Sequence, residues 1–384
     1  MVNNIDTKKI FNEDKTPELK DNSVNSRMGK FSQKKAIFIS AGIFLLVSVC
    51  AVYFLFANKS EITRPTLESD SNIVSSSKVA PTPFPFQEMT ISYLREREYE
   101  STMNDLNQIS TNANYEEFLT SYDSDGFKIN ALLTRPIGQT PEGGFPAIIF
   151  IHGYIPPTTY VTNGQSYSEY VDYLARNGFV VFKIDLRGHG DSEGEANGAY
   201  YSEEYIVDVL NARAALRGLD FVNDSKIGLW GHSMAGNVVL RSIAAARDIP
   251  VAVIWAGAVY TYDDLQEYGL NDNSYRPPMD NTQRQRRRER LFATYGEFDS
   301  KSSFWKQVIP TNYLDGISTP IQLNHSVDDD VVDIGYSRGL NSILDNTLIT
   351  HELNEYASGG HNISGSAYSQ AMQNTIEFYN KFLK

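Results

Sequence analysis

The stretch Ile227-Gly228-Leu229-Trp230-Gly231-His232-Ser233-Met234-Ala235-Gly236 decides the fold. Its opening run reads as a strand, and Val238-Val239-Leu240 starts a helix soon afterwards. Between them a serine sits on a tight turn, the pattern of a nucleophile elbow. Such a turn lifts a hydroxyl above the end of a sheet and aims the helix N-terminus at whatever that hydroxyl attacks. Serine is a weak nucleophile until a base takes its proton. The motif therefore predicts a histidine, a carboxylate and an oxyanion hole elsewhere in the chain.

The segments on either side supply the sheet. Residues 147–151 are continuously apolar, as a strand buried on both faces must be. Strands are also expected at 127–134, 179–184, 251–255, 321–324 and near 347–353, with a turn at 123–126. Helices are expected at 167–176, 200–216 and 366–383. Strands alternating with helices indicate an α/β fold, a mostly parallel central sheet with helices on both faces. On such a sheet the catalytic loops gather at the carboxyl ends of the strands. The alternation stops between 260 and 318, where a lid-like insertion is expected. That insertion carries Arg284-Gln285-Arg286-Arg287-Arg288-Glu289-Arg290, read here as a solvated helix face rather than an anion site.

In this architecture the acid and then the base follow the serine along the chain. His152, His189 and His232 precede Ser233 and drop out. Of His325, His351 and His361, the first two fall in strand-like segments. His361 follows Ser358-Gly359-Gly360, between the last strand and the last helix, where a loop can present an imidazole to the elbow. The acid is expected in Asp328-Asp329-Asp330, just past a strand end, and spacing does not choose among the three. The oxyanion hole is assigned to the backbone N–H groups of Met234 and Tyr154, the latter in the loop His152-Gly153-Tyr154. His152 and the loop 185–192 are read as structural, the latter shaping the pocket floor.

Residues 36–57, AIFISAGIFLLVSVCAVYFLFA, carry no charge and are long enough to cross the roughly 30 Å hydrocarbon core. Lys30, Lys34 and Lys35 precede them, which sets residues 1–35 in the cytoplasm and the remainder outside. A cleaved signal or a lipoprotein signal fits less well, because Leu55-Phe56-Ala57 is a poor exit and Val49 precedes Cys50. The expected order is a disordered tail at 1–35, an anchor at 36–57, a Ser/Thr/Pro-rich stalk at 58–86 and a lead-in at 87–121. A catalytic domain follows at 122–384. The net charge of −13 argues against nucleic acid as a partner. One cysteine allows no internal disulfide, and no Cys/His spacing suits zinc, so neither metal nor cofactor is expected. The expected partners are the membrane and a small peptide or ester substrate. The oligomeric state is open.

These motifs together resemble the catalytic domain of the prolyl oligopeptidase family, within the α/β-hydrolases. The match rests on His152-Gly153-Tyr154, Asp185-Leu186-Arg187-Gly188-His189-Gly190, Gly231-His232-Ser233-Met234, the segment from His325 to Val332 and Gly360-His361-Asn362. The family's strand-end motif His-Gly-x-x-Asp implies Asp329 as the acid, with Ser326 standing where the family has glycine. The resemblance implies a serine hydrolase with Ser233, Asp329 and His361 as its triad. The region before the domain is too short for the β-propeller that many family peptidases carry. An esterase on small acyl esters, an acyltransferase and an inactive binding protein remain the alternatives.

Overall fold

The computed structural model describes residues 83–384, apart from 274 and 276–281. The cytoplasmic tail, the anchor and most of the stalk expected from the sequence lie outside the described residues. Among the described residues no helix is long and apolar enough to cross a membrane.

One sheet organises the described residues, with strand order β1-β2-β3-β5-β4-β6-β7-β8-β9. In chain order the strands are Asn107–Thr111, Tyr115–Ser124, Phe127–Pro136, Phe145–Ile151, Val180–Ile184, Val222–His232, Ala252–Trp255, Ile321–Ser326 and His351–Tyr356. β1, β2, β3 and β5 pair antiparallel in succession, and every pair from β5 through β4 to β9 is parallel. The sheet is thus mostly parallel. The apolar run of β4 serves two cores at once. Ala147, Ile149 and Ile151 face one cluster, while Ile148 and Phe150 face the other. This follows from the two-residue period of a strand.

The helices are α1 Ile91–Glu96, α2 Ser168–Arg176, α3 Glu204–Arg217, α4 Ala235–Ala246, α5 Tyr262–Tyr268, α6 Gln283–Tyr295, α7 Trp305–Val308, α8 Gly335–Leu344 and α9 Ser366–Leu383. α3, α4 and α8 put Val209, Val239 and Leu340 into the first core. α2 and α9 put Leu174 and Met372 into the second. α5, α6 and α7 form the excursion between β7 and β8.

The structure departs from the sequence reading in several places. The lead-in is not a separate piece. β1 and β2 belong to the sheet, and Met89, Ile91 and Leu94 sit fully buried in its core. The folded unit therefore begins well before residue 122. β2 escapes a pattern search because Glu116 and Glu117 interrupt its apolar residues; Glu116 pairs with Arg135 across the ladder. The turn does fall where expected. Ser124 pairs with Phe127 around Asp125-Gly126, both at positive φ (55° and 80°), a two-residue type I′ hairpin. α3 starts at Glu204 rather than 200, which leaves 198–201 as a loop. β9 starts only at His351. α8 has no counterpart in the sequence reading, because the acidic turn that leads into it from β8 masks its start.

Candidate active site

Ser233 stands between β6 and α4 at φ 57°, a left-handed conformation that a side chain rarely adopts. The backbone around it holds the strain. Its N–H donates to Trp255 O (2.9 Å), and its carbonyl accepts from Gly236 N (2.9 Å) and Ala258 N (3.2 Å). The turn is tight because a Cβ on Gly236 would lie 2.7 Å from Gly257 Cα, where backbone meets backbone. Ala235, at the motif's last position, is tolerated and fully buried. Other non-glycine residues at positive φ also sit past strand ends: Leu186 after β5, Ala256 and Val259 after β7, and Ile363 after β9. Strain gathered on one rim of a sheet is a mark of a working site.

The acidic turn separates its three members. Asp328 and Asp330 are exposed, while the carboxylate of Asp329 has no exposed surface. Asp329 Oδ2 accepts from His361 Nδ1 (2.8 Å) and His325 Nε2 (3.1 Å). Its Oδ1 accepts from Val331 N (2.9 Å) and Val332 N (3.0 Å). Burial by itself would raise this carboxyl. The bonds from His325 and His361 and from the Val332 N–H outweigh it and hold Asp329 well below the usual carboxylate range. Asp328 accepts from Gly360 N (2.9 Å), tying the same turn to the His361 loop. Ser326 is the last residue of β8 and does not have positive φ, so nothing in the backbone demands glycine there.

His325 is a buried spacer. Its Nε2–H points at Asp329 and at Val332 O (2.9 Å), while Nδ1 accepts from the Ser337 hydroxyl (2.7 Å). His351 lies on β9 and bonds to Ile349 O and Asp345, away from this group. His152 is buried with its ring nitrogens facing Gly153 O in its own loop and Asp185 O past β5 (both 2.7 Å), so the neutral ring donates to one of these carbonyls, as a structural residue does.

A directional relay joins the loops. His232 Nε2 faces the His361 carbonyl (2.9 Å), which can only accept, so Nε2 carries the proton. Nδ1 is then an acceptor, and Tyr167 Oη–H donates to it (2.8 Å). The Tyr167 oxygen in turn accepts from Gly153 N (2.9 Å). Burial, then the neighbouring His361, pushes the His232 pKa down to about 3, so the imidazole stays neutral and the direction is fixed. Sequence reasoning misses Tyr167 and His232 as site residues; no spacing rule links positions 153, 167, 232 and 361. Tyr167→Phe leaves Gly153 N–H and His232 Nδ1 without their partner. We expect a loss of about 1–3 kcal/mol in stability and a fall of roughly tenfold in kcat/KM, carried by kcat. A fall confined to KM would count against a role in holding these loops.

Two cavities meet at Ser233. One, about 280 Å³, is lined by Met234, Tyr201, Leu270, Arg284 and Arg288, among others. The second, about 460 Å³, is lined by His361, His232, Tyr170, Glu169 and Asn362. Tyr154, Asp272 and Val331 line both. The 185–192 loop lines neither. Asp185, Leu186, Arg187 and His189 are buried behind the wall, where Arg187 pairs with Asp208 (2.6 Å). The loop 198–201 shapes the cavity instead. Among the described residues no group of three His, Cys, Asp or Glu could hold a metal ion.

The buried imidazoles give the fold an acid limit. Burial lowers His152 to about 4, His232 to about 3 and His189 well below its usual value. In the window between these values and the unfolded value of about 6.5, the unfolded chain binds more protons, so stability falls as pH falls. His152 and His232 each remove about 2 kcal/mol between pH 7.5 and 5, and His189 acts in the same direction. Asp185, raised by burial to about 7, works in the opposite direction over the same range. Three histidines against one carboxyl leave a net loss of stability, read as a lower urea midpoint at pH 5 than at pH 7.5. Urea midpoints of the full chain at the two pH values check this; equal midpoints would mean that the folded state takes up these protons.

Residues 146–275 match the serine aminopeptidase family S33. The quorum-quenching protein AidA of Acinetobacter baumannii is 28% identical over 140 residues, 36% of this chain and 43% of that protein. The acylaminoacyl peptidase of Pyrococcus horikoshii superposes with a TM-score of 0.55 at 19% identity, over 71% of this chain and 42% of that one. Acetyl xylan esterase 1 of Thermoanaerobacterium sp. superposes with a TM-score of 0.53 at 18% identity, over 75% and 91%. The chain spans less than half the length of the curated relatives it matches. A serine on a left-handed elbow at the rim of this sheet, and relatives that are peptidases and esterases, lead to one conclusion. The chain has the α/β-hydrolase fold and is similar to serine hydrolases, the prolyl oligopeptidase family of peptidases among them.

Proposed function

We propose that Ser233, Asp329 and His361 act as a catalytic triad that cleaves a peptide or ester acyl bond. The observation that carries this is the pair Asp329–His361 at 2.8 Å, with His361 and Ser233 lining one cavity. Asp329 takes the Nδ1–H of His361, which leaves Nε2 as the basic nitrogen. Nε2 removes the Ser233 proton, Oγ bonds to the substrate carbonyl carbon, and the oxyanion rests on the N–H groups of Met234 and Tyr154. His361 then protonates the leaving atom. Water, deprotonated by the same nitrogen, adds to the acyl-enzyme and releases Ser233 and the acid.

The ester reading draws support from the N-terminal side. Residues 107–124 extend the catalytic sheet rather than build a separate substrate gate. We also propose that residues 36–57 anchor the chain, with the catalytic domain outside the cytoplasm; protease accessibility in intact cells tests this.

The test of the catalytic reading is a fluorophosphonate label on the full chain, located by mass spectrometry, together with kinetics on a short-chain ester and a peptide amide. Label on Ser233 and turnover of either substrate support the proposal. Folded protein that takes no label and turns over neither belongs to an inactive binding protein. The better substrate of the two decides between esterase and peptidase.

A further inference from the structure

The arginine run of α6 does not face water as one surface. Arg287 pairs with Glu203 (2.8 Å) and Glu88 (3.5 Å). Arg284 and Arg288, one helical turn apart and half-buried, line the 280 Å³ cavity together with Ser233 and Met234. Neither has a carboxylate partner among the described residues. Arg288 is held by aromatic groups instead. Its guanidinium lies 4.2 Å from the Tyr201 ring centre, and Nη1 donates to Tyr275 Oη (3.3 Å). A guanidinium stacked by its face keeps its in-plane N–H groups for a ligand. Among the described residues Asp272 is the acid that lines this cavity, so two cations stand there with one carboxylate. The His361 side is the reverse: among the described residues Glu169 and Asp272 line it and no lysine or arginine does.

We propose that Arg284 and Arg288 bind a carboxylate carried on the acyl side of the substrate. This rests on the proposed catalytic role of Ser233 and His361, and it names the substrate class of that site. His361 must protonate the leaving atom, so its cavity receives the leaving group. The cavity beyond Met234 then receives the acyl group. An acid there meets two planar, always charged donors that suit carboxylate geometry. On the leaving-group side the same acid would meet only like charge. The preferred acyl donor is a dicarboxylic half-ester or an acyl chain ending in an acidic side chain.

The test compares kcat/KM of the full chain on the 4-nitrophenyl half-ester of adipate and on 4-nitrophenyl hexanoate. A second arm compares 4-nitrophenyl esters of N-acetylglutamate and N-acetylglutamine, which separates dicarboxylic acyl groups from acidic residues. The acid form is preferred by tenfold or more in at least one arm. Arg284→Gln with Arg288→Gln lowers that preference by about tenfold. Arg290→Gln, on the exposed face, retains it. No preference in either arm, or a preference that survives the double substitution, overturns the proposal. Calorimetric binding of free adipate to the Ser233→Ala chain needs no catalysis. Adipate that binds, and stops binding in the double variant, supports the anion site even if no ester is turned over, which would sink only the catalytic reading. Turnover without discrimination sinks only the anion site.

Discussion

Ser233→Ala removes ester and amide turnover by roughly 10⁴-fold or more while leaving the fold in place. The hydroxyl contributes little to packing: the elbow is held by the Ser233 backbone, through Trp255 O, Gly236 N and Ala258 N, and alanine keeps all three bonds. The left-handed φ of 57° is retained at similar cost, since serine already carries a Cβ there. The measurement is kcat/KM on a short-chain ester, beside a urea unfolding curve. Residual turnover within tenfold of the parent protein would move the chemistry to another residue, and the elbow would then be a structural turn.

The second large effect is at Asp329. Asp329→Asn places an amide where His361 Nδ1 and His325 Nε2 now donate, and both donors need an acceptor. If the amide nitrogen faces His361, it stabilises the tautomer with the proton on Nε2, which cannot act as base. The expected loss is about 10³- to 10⁴-fold in kcat. Stability falls as well. The ionised carboxylate is favoured in the fold, so its contribution is full above the unfolded value of about 3.8 and is lost as pH falls below it. Asn should therefore be less stable than Asp at pH 7, with the difference narrowing only as pH falls below about 3.8. Asp328→Asn removes only the charge of an exposed side chain, whose amide oxygen can still accept from Gly360 N–H, and serves as the contrast. If Asp328→Asn proved the more damaging of the two, the acid of the reaction would be the wrong aspartate.

Much of this was legible in the sequence for definite reasons. The strand–serine–helix pattern has few other physical readings. The run at 147–151 announces a strand buried on both faces. Chain order narrowed six histidines to three, and glycines before His361 narrowed them further. Spacing did not tell which aspartate met the imidazole, and only the family resemblance implied Asp329, because three consecutive carboxylates differ only in where the turn points them. Only Asp329 turns inward, with its two oxygens accepting from two ring nitrogens and two backbone N–H groups. Arg284 and Arg288 were hidden for a similar reason. Every fourth residue of a charged helix looks solvated until a neighbouring loop covers it. Tyr167 and His232 belong to contacts between residues far apart in the chain, which no local period encodes.

Arg241 shows where the chain can be cut. Its fully buried guanidinium is shared by three carbonyls: Ala199 and Ser202, beside the cavity wall, and Met89, far upstream. Trimming the protein to residue 122, the boundary that the motifs alone would advise, would strip two strands from the sheet and one carbonyl from that cation. The loose end of such a fragment would be felt at the wall of the acyl cavity, so expression trials should keep the chain from residue 83 onwards.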